Sequence, residues 1–139
     1  MQNCGNGRTS VAELSPAMNA LTGSVIGCAI AVHKVLGPGF LEAVYAEALA
    51  TALADACIPF RREVRVVVSF RGRQVGEHRL DLLVDDLVVV ELKAVEGLAR
   101  IHFAQVRSYL RATNLRVGLL LNFEAPTVEV RRILNPDGR

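Results

Sequence analysis

The chain predicts a mixed α/β (α+β) fold, a central sheet flanked by helices, on three observations. Apolar residues recur at helical spacing through residues 19–57, alternate with a period of two from residue 62, and return to helical spacing between 97 and 113 before two more apolar runs. Two of the middle runs are joined by the turn-forming pair Asp85-Asp86, which reads as an antiparallel hairpin. The length of 139 residues supports one domain with a real core and hardly two.

The elements follow in order. Residues 1–18, with Asn3, Gly5, Asn6, Gly7, Ser10, Ser15 and Pro16, lack apolar periodicity and read as a loose tail ahead of a single domain over 19–135, with a short C-terminal tail at 136–139. A helix is expected over about 19–36 from Val25, Ile26, Ala29, Ile30 and Val35, and a second over about 40–57 from Leu41, Val44, Ala48, Leu49 and Leu53. Gly37 can end the first and Pro38 can start the second. Val64, Val66 and Val68 alternate with Glu63, Arg65, Val67 and Ser69 in a strand over 62–70, closed by Arg71-Gly72-Arg73. Residues 79–84 form the next strand, and the run Leu87-Val88-Val89-Val90 starts a buried one that carries Glu91 and Lys93. An amphipathic helix over 97–113, with Ile101, Ala104, Ser108 and Leu110, precedes strands over 116–123 and 127–134 that complete the sheet; Pro126 separates them.

Chemistry concentrates around the hairpin. Residues two apart on a strand share a face, so Glu91 and Lys93 point the same way, with Asp81 ten residues before Glu91. A magnesium ion takes hard oxygen ligands and usually only one or two protein carboxylates. Asp81 and Glu91 can supply these, while Lys93 neutralises developing charge or helps deprotonate a water. Glu-Leu-Lys alone is short and common and by itself favours a solvated strand face; the Asp81 spacing and the downstream helix shift the balance towards a site. A two-residue loop would set Asp81 against Val90 and leave Glu91 on the opposite face. A shared site therefore predicts a three-residue loop including Leu87, or a β-bulge nearby.

Gln105 and Tyr109, four apart, stack on one helix face, and His102 joins the stripe three residues earlier. Such a stripe can orient a bound water or a phosphate oxygen, or form an ordinary wet face. Glu42 falls in the first turn of the second helix, where the macrodipole favours an acid by roughly 0.3–1 kcal/mol. The functional alternative makes it a further metal ligand or water-holding group, with Tyr45 on its face.

Gly39-x-x-Glu42-x-x-Tyr45 resembles the motif after which the GxxExxY proteins are named. The resemblance covers about 25–134 and extends through Val32-His33-Lys34-Val35-Leu36-Gly37-Pro38-Gly39, Leu80-Asp81-Leu82-Leu83-Val84, Glu91-Leu92-Lys93-Ala94-Val95, Gln105-x-x-x-Tyr109-Leu110 and Gly118-Leu119-Leu120-Leu121-Asn122-Phe123. These proteins look like members of the PD-(D/E)XK nuclease superfamily, although Leu80 stands where that name has proline. The resemblance implies a restriction-endonuclease-like core and a Mg²⁺- or Mn²⁺-dependent phosphodiesterase acting on DNA or RNA. By transfer, Asp81, Glu91 and Glu42 are metal ligands, Lys93 the catalytic amine, and Gln105 and Tyr109 the supporting helix pair, with His33 and His102 as secondary candidates.

Composition bounds the partners. Three cysteines, Cys4, Cys28 and Cys57, are too few and too far apart for an iron-sulfur cluster, and His33, His78 and His102 lack zinc spacing. A net charge of +2 excludes a global basic field, so nucleic-acid contacts must be local; Arg61, Arg62, Arg65, Arg71, Arg73 and Arg79 cluster in the first two strands. No leader-like segment and no run of 18 apolar residues occurs, which predicts a cytoplasmic protein with no membrane contact. An apolar content of 51% leaves surface for a homo-oligomer interface. The competing functional class is a non-catalytic assembly or nucleic-acid-binding module that retains a nuclease-like fold.

Overall fold

The computed structural model describes residues 14–139. The order is α1 (Pro16–Leu36), α2 (Glu42–Asp55), β1 (Phe60–Phe70), β2 (Arg73–Val84), β3 (Val88–Lys93), α3 (Arg100–Thr113), β4 (Val117–Asn122) and β5 (Glu129–Leu134). The five strands form one mixed sheet in the order β1-β2-β3-β4-β5; β3 and β4 are parallel across α3, and the other pairs are antiparallel.

Each boundary has a local cause. Ser15 accepts a hydrogen bond from the Met18 amide at 3.1 Å and Pro16 opens α1, so helix begins inside the segment expected to be tail; residues 1–13 of that expectation, Cys4 included, lie outside the described residues. Gly37 caps α1 at φ 68°, as expected, but Pro38 does not start α2. The chain remains non-helical through Leu41, and Glu42 is the first helical residue. β2 starts six residues earlier than expected, because Arg73–His78 belongs to a two-stranded ribbon with almost no buried face to impose alternation. Residues 136–139 are tied down as well: the Gly138 amide donates to Asn135 O and the Arg139 amide to Asn114 O, both at 2.9 Å.

Two cores sandwich the sheet. On one face α1 and α2 bring Val25, Ala29, Tyr45, Leu49 and Leu53 against Leu82, Val90, Leu92, Leu119 and Leu121. On the other, Val106, Tyr109 and Leu110 of α3 meet Leu80, Leu83, Val89 and Leu120. β3 and β4 are covered on both sides, which is why they read as continuous apolar runs. Gly118 lets α3 approach closely, since a Cβ there would lie 2.7 Å from Val106 Cγ1. By length and composition α1 passes for a membrane-crossing helix, yet its inner face of Thr22, Val25, Ala29, Val32 and His33 is buried in the protein.

Candidate active site

The hairpin loop has three residues. Val84 pairs with Val88, the Leu87 amide returns to Val84 O at 2.9 Å, and Asp85 and Asp86 take left-handed φ values of 52° and 54°. Continuing the register of Leu82 with Val90 sets Asp81 opposite Glu91, the shared placement that a single site requires.

A second device lies on the other side of Asp81. Leu82 and Val84 pack under α1 and α2, whereas Leu80, two residues earlier, packs under α3; in β1, Phe60 likewise belongs to the first core and Val64 and Val66 to the second. Residues of equal parity cannot divide between faces in a regular strand. The exchange occurs where Glu63, at φ 50°, and Asp81 drop out of the ladder between Arg62–Leu82 and Val64–Leu80, which stay in one register. β2 parts from β3 at the same place: their ladder stops at Leu82–Val90, and the Leu92 amide donates instead to Asp81 Oδ2 at 2.9 Å.

Asp81 thus stands in a gap between strands. It lines a cleft of about 240 Å³ with Glu42, Ala43, Ala46, Arg62, Glu63 and Leu92. Burial, with added push from the Glu42 and Glu63 carboxylates, raises its pKa against the pull of the Leu92 amide and Lys93. Glu91 is 6% exposed, and its pKa is pushed up to about 8, first by burial and then by Asp81. Lys93 Nζ lies 3.7 Å from Glu91 Oε2 and partly counters that rise, while Glu91 Oε1 is buried without a hydrogen-bond partner.

From α3, Tyr109 comes near enough to Glu91 and Asp81 to feel their charge. Gln105 Oε1 is the other buried side-chain oxygen without a partner among the described residues. Tyr109 has its hydroxyl pushed up to about 12 by burial and by the Glu91 and Asp81 carboxylates, so it remains a proton donor across the usable pH range. Glu42 is exposed yet shares the cleft with the half-buried Asp81, and its charge acts on both Asp81 and the buried Glu91. It does not complete a three-ligand cage: among the described residues no three His, Cys, Asp or Glu side chains converge as a metal-holding group. Two carboxylates suffice for magnesium, whose remaining positions are filled by water and phosphate. An unpartnered carboxylate oxygen beside a second acid is a donor set that fits such an ion.

His33 and His102 have other partners. His33 Nε2 lies 3.1 Å from Phe123 O and 2.9 Å from Ala125 O, holding the segment after β4, and His102 Nδ1 accepts from the Ala99 amide at 2.9 Å as the N-terminal brace of α3. Tyr45 is wholly buried and stacks on Phe123 with centroids 4.6 Å apart. Its hydroxyl donates to Gly37 O at 2.6 Å and accepts from the Phe40 amide at 3.2 Å, bracing the loop before Glu42. Two residues near the site carried no sequence signal. Glu63 looks like one polar position of an alternating strand, and His78, whose ring centroid lies 4.7 Å from that of Tyr109, has in sequence only a spacing unsuited to zinc.

The family described as the PD-(D/E)XK nuclease superfamily matches residues 19–133. No curated protein matches the sequence. A crystal structure of a protein called SSO0001 is similar at a TM-score of 0.55 and 21% identity, over 67% of this chain and 49% of that one, a likeness of fold. This chain thus spans about half the length of that protein.

Proposed function

The chain belongs to the PD-(D/E)XK nuclease superfamily, and on that footing we propose that it is a Mg²⁺- or Mn²⁺-dependent nuclease that hydrolyses phosphodiester bonds of DNA or RNA. The observation that carries the reading is the buried, unpartnered carboxylate oxygen of Glu91 beside Asp81 and Lys93. A fold gains nothing in stability from two adjacent desolvated acids, and it keeps them where a cation is to be held. The Gly39-x-x-Glu42-x-x-Tyr45 motif supports placing the chain in the GxxExxY branch.

Asp81 and Glu91 would hold the ion, which supplies a Lewis acid and an acidic water when bound. Lys93 sits where a positive charge stabilises charge developing on the phosphate. Gln105 Oε1 has a free lone pair to accept a hydrogen bond from the attacking water, Tyr109 offers a donor that does not ionise, and Glu42 closes the solvent side of the cleft as a water-holding acid. Purified protein should cleave at least one of single- or double-stranded DNA or RNA when Mg²⁺ or Mn²⁺ is added, and not in EDTA. Lys93→Ala should fold, retain metal and lose about 10²–10³-fold in rate. A folded Lys93→Ala protein with wild-type rate, or a wild type that cleaves none of the four substrates, sinks the reading.

One feature favours the second reading, a non-catalytic assembly module. Val35 and Leu41 are 83% and 79% exposed at the end of α1 and just before α2, and Phe40 and Val44 beside Leu41 in sequence and Ile30 on α1 are also exposed, apolar surface that suits a homo-oligomer contact. Light scattering that returns a monomer mass at all concentrations would remove the support this surface lends.

A further inference from the structure

The arginines of this chain divide into two populations. Arg61, Arg62, Arg65 and Arg79 lie 2.9, 2.9, 2.6 and 3.8 Å from the carboxylates of Asp86, Glu47, Glu77 and Glu63. Most of the arginine cluster on the first two strands is therefore already neutralised. α3 differs: Arg100–Thr113 contains Arg100, Arg107 and Arg111 and no acidic residue, and none of the three has an ion-pair partner among the described residues. Three positive charges on one helix exceed the +2 of the whole chain.

These arginines form a line. Positions 100, 104, 107 and 111 share one helix face, and all four are exposed, opposite the buried Val106, Tyr109 and Leu110. Arg107 and Arg111 rise about 6 Å apart along the axis, comparable to consecutive phosphates of one strand. Helix stability explains Arg111, which suits the negative end of the macrodipole, but not Arg100 at the positive end. Arg111 also lines a cleft of about 470 Å³ between α3 and the β1–β2 ribbon, with Ser69, His78 and Ser108. His78 on the cleft wall lies edge-on to Tyr109 with centroids 4.7 Å apart, and Tyr109 feels the charges of Glu91 and Asp81, so the Tyr109 ring stands between this cleft and the surroundings of the acids.

We propose that the Arg100–Arg107–Arg111 face of α3 and the adjoining cleft beneath the β1–β2 ribbon bind a phosphodiester strand of DNA or RNA and lead it to Asp81 and Glu91. The destination rests on the nuclease reading; the binding does not. Unpaired guanidinium groups on a rigid helix complement a polyanion, and their contribution falls with salt in proportion to the phosphates neutralised.

The test measures binding of labelled single-stranded DNA and RNA in EDTA, where no cleavage competes, across a salt series. Arg107→Ala/Arg111→Ala should bind about tenfold or more weakly at low salt, and the slope of log K against log salt should flatten by about 1.4, at roughly 0.7 per lost contact. The control Arg61→Ala/Arg65→Ala removes the same charge from neutralised positions and should match wild type. Wild-type affinity and slope in the α3 double variant would overturn the proposal, as would absence of binding by the wild type. It also fails if poly-glutamate binds as tightly and loses affinity on the same variant, which would make the face a site for acidic peptide. Cleavage with Mg²⁺ is scored separately. Binding through these arginines without cleavage leaves the strand path standing and removes the nuclease reading, whereas cleavage undiminished in the double variant does the reverse.

Discussion

Glu91→Gln should make the metal-free protein more stable at alkaline pH. The wild-type carboxyl is raised from 4.5 to about 8, so the folded state holds a proton that the unfolded state releases. The sign follows from linkage: the associated stability is fully present below about pH 4.5 and is lost as pH rises to about 8. At about 1.4 kcal/mol per pH unit across that window, the loss is roughly 5 kcal/mol as an upper bound, a large share of the 5–15 kcal/mol typical of a domain. Asp81, raised in the same direction, adds to the slope. Glutamine has the same shape and no charge to desolvate. Urea melts in EDTA at several pH values from 5 to 9 should give a wild-type stability that falls with pH and a Glu91→Gln stability that falls much less. Loss of the partner of Lys93 displaces the variant's whole curve, so the diagnostic quantity is the change with pH. Parallel curves for the two proteins would refute the account of Glu91 as a desolvated acid. Repeating the series with Mg²⁺ should restore the wild type most at the alkaline end, where the carboxylate is already ionised, and leave the variant largely unmoved.

Two further substitutions test the scaffold. Gly118→Ala places a Cβ 2.7 Å from Val106 Cγ1 and should cost about 1–3 kcal/mol in a denaturant melt, with Gly118→Ala/Val106→Ala recovering part of it. Tyr45→Phe keeps the ring stacked on Phe123 but strips the hydroxyl from Gly37 O and the Phe40 amide, and should cost about 1–2 kcal/mol while speeding hydrogen exchange at Phe40.

Legibility from sequence tracked the physics of each signal. β3 and β4 were readable because burial on both faces leaves a run with few polar residues, and the three-residue hairpin loop followed from the demand that Asp81 and Glu91 share a face. The first half of β2 is not legible because a solvated ribbon imposes no alternation. The exchange of faces at Glu63 and Asp81 was also invisible, since nothing in the composition of Glu63 announces a left-handed backbone. The arginine cluster was read by residue type, but whether a guanidinium is free depends on which acid the register sets beside it: Glu77 for Arg65 and Glu63 for Arg79.

The motifs separate into groups that carry the unfavourable charges and groups that hold them in place. Asp81, Glu91 and Lys93 crowd two acids and one amine into a half-dry gap, an arrangement that relaxes unless the strand ends are fixed. The fixing comes from residues with no role in the chemistry. Lys93 pairs with Asn122 in the parallel ladder, and its carbonyl accepts from the Phe123 amide at 2.9 Å. Asn122 is fully buried and bonds both the amide and the carbonyl of Val95, closing the backbone just beyond Lys93. Phe123 in turn stacks between His33 and Tyr45, and Tyr45 braces the loop that delivers Glu42. One chain of contacts therefore runs from the strand end that presents Lys93 to the helix start that presents Glu42, on the opposite side of the sheet from α3. The histidine, asparagine, phenylalanine and tyrosine of these motifs can accordingly be as intolerant of substitution as the acids while touching neither metal nor phosphate.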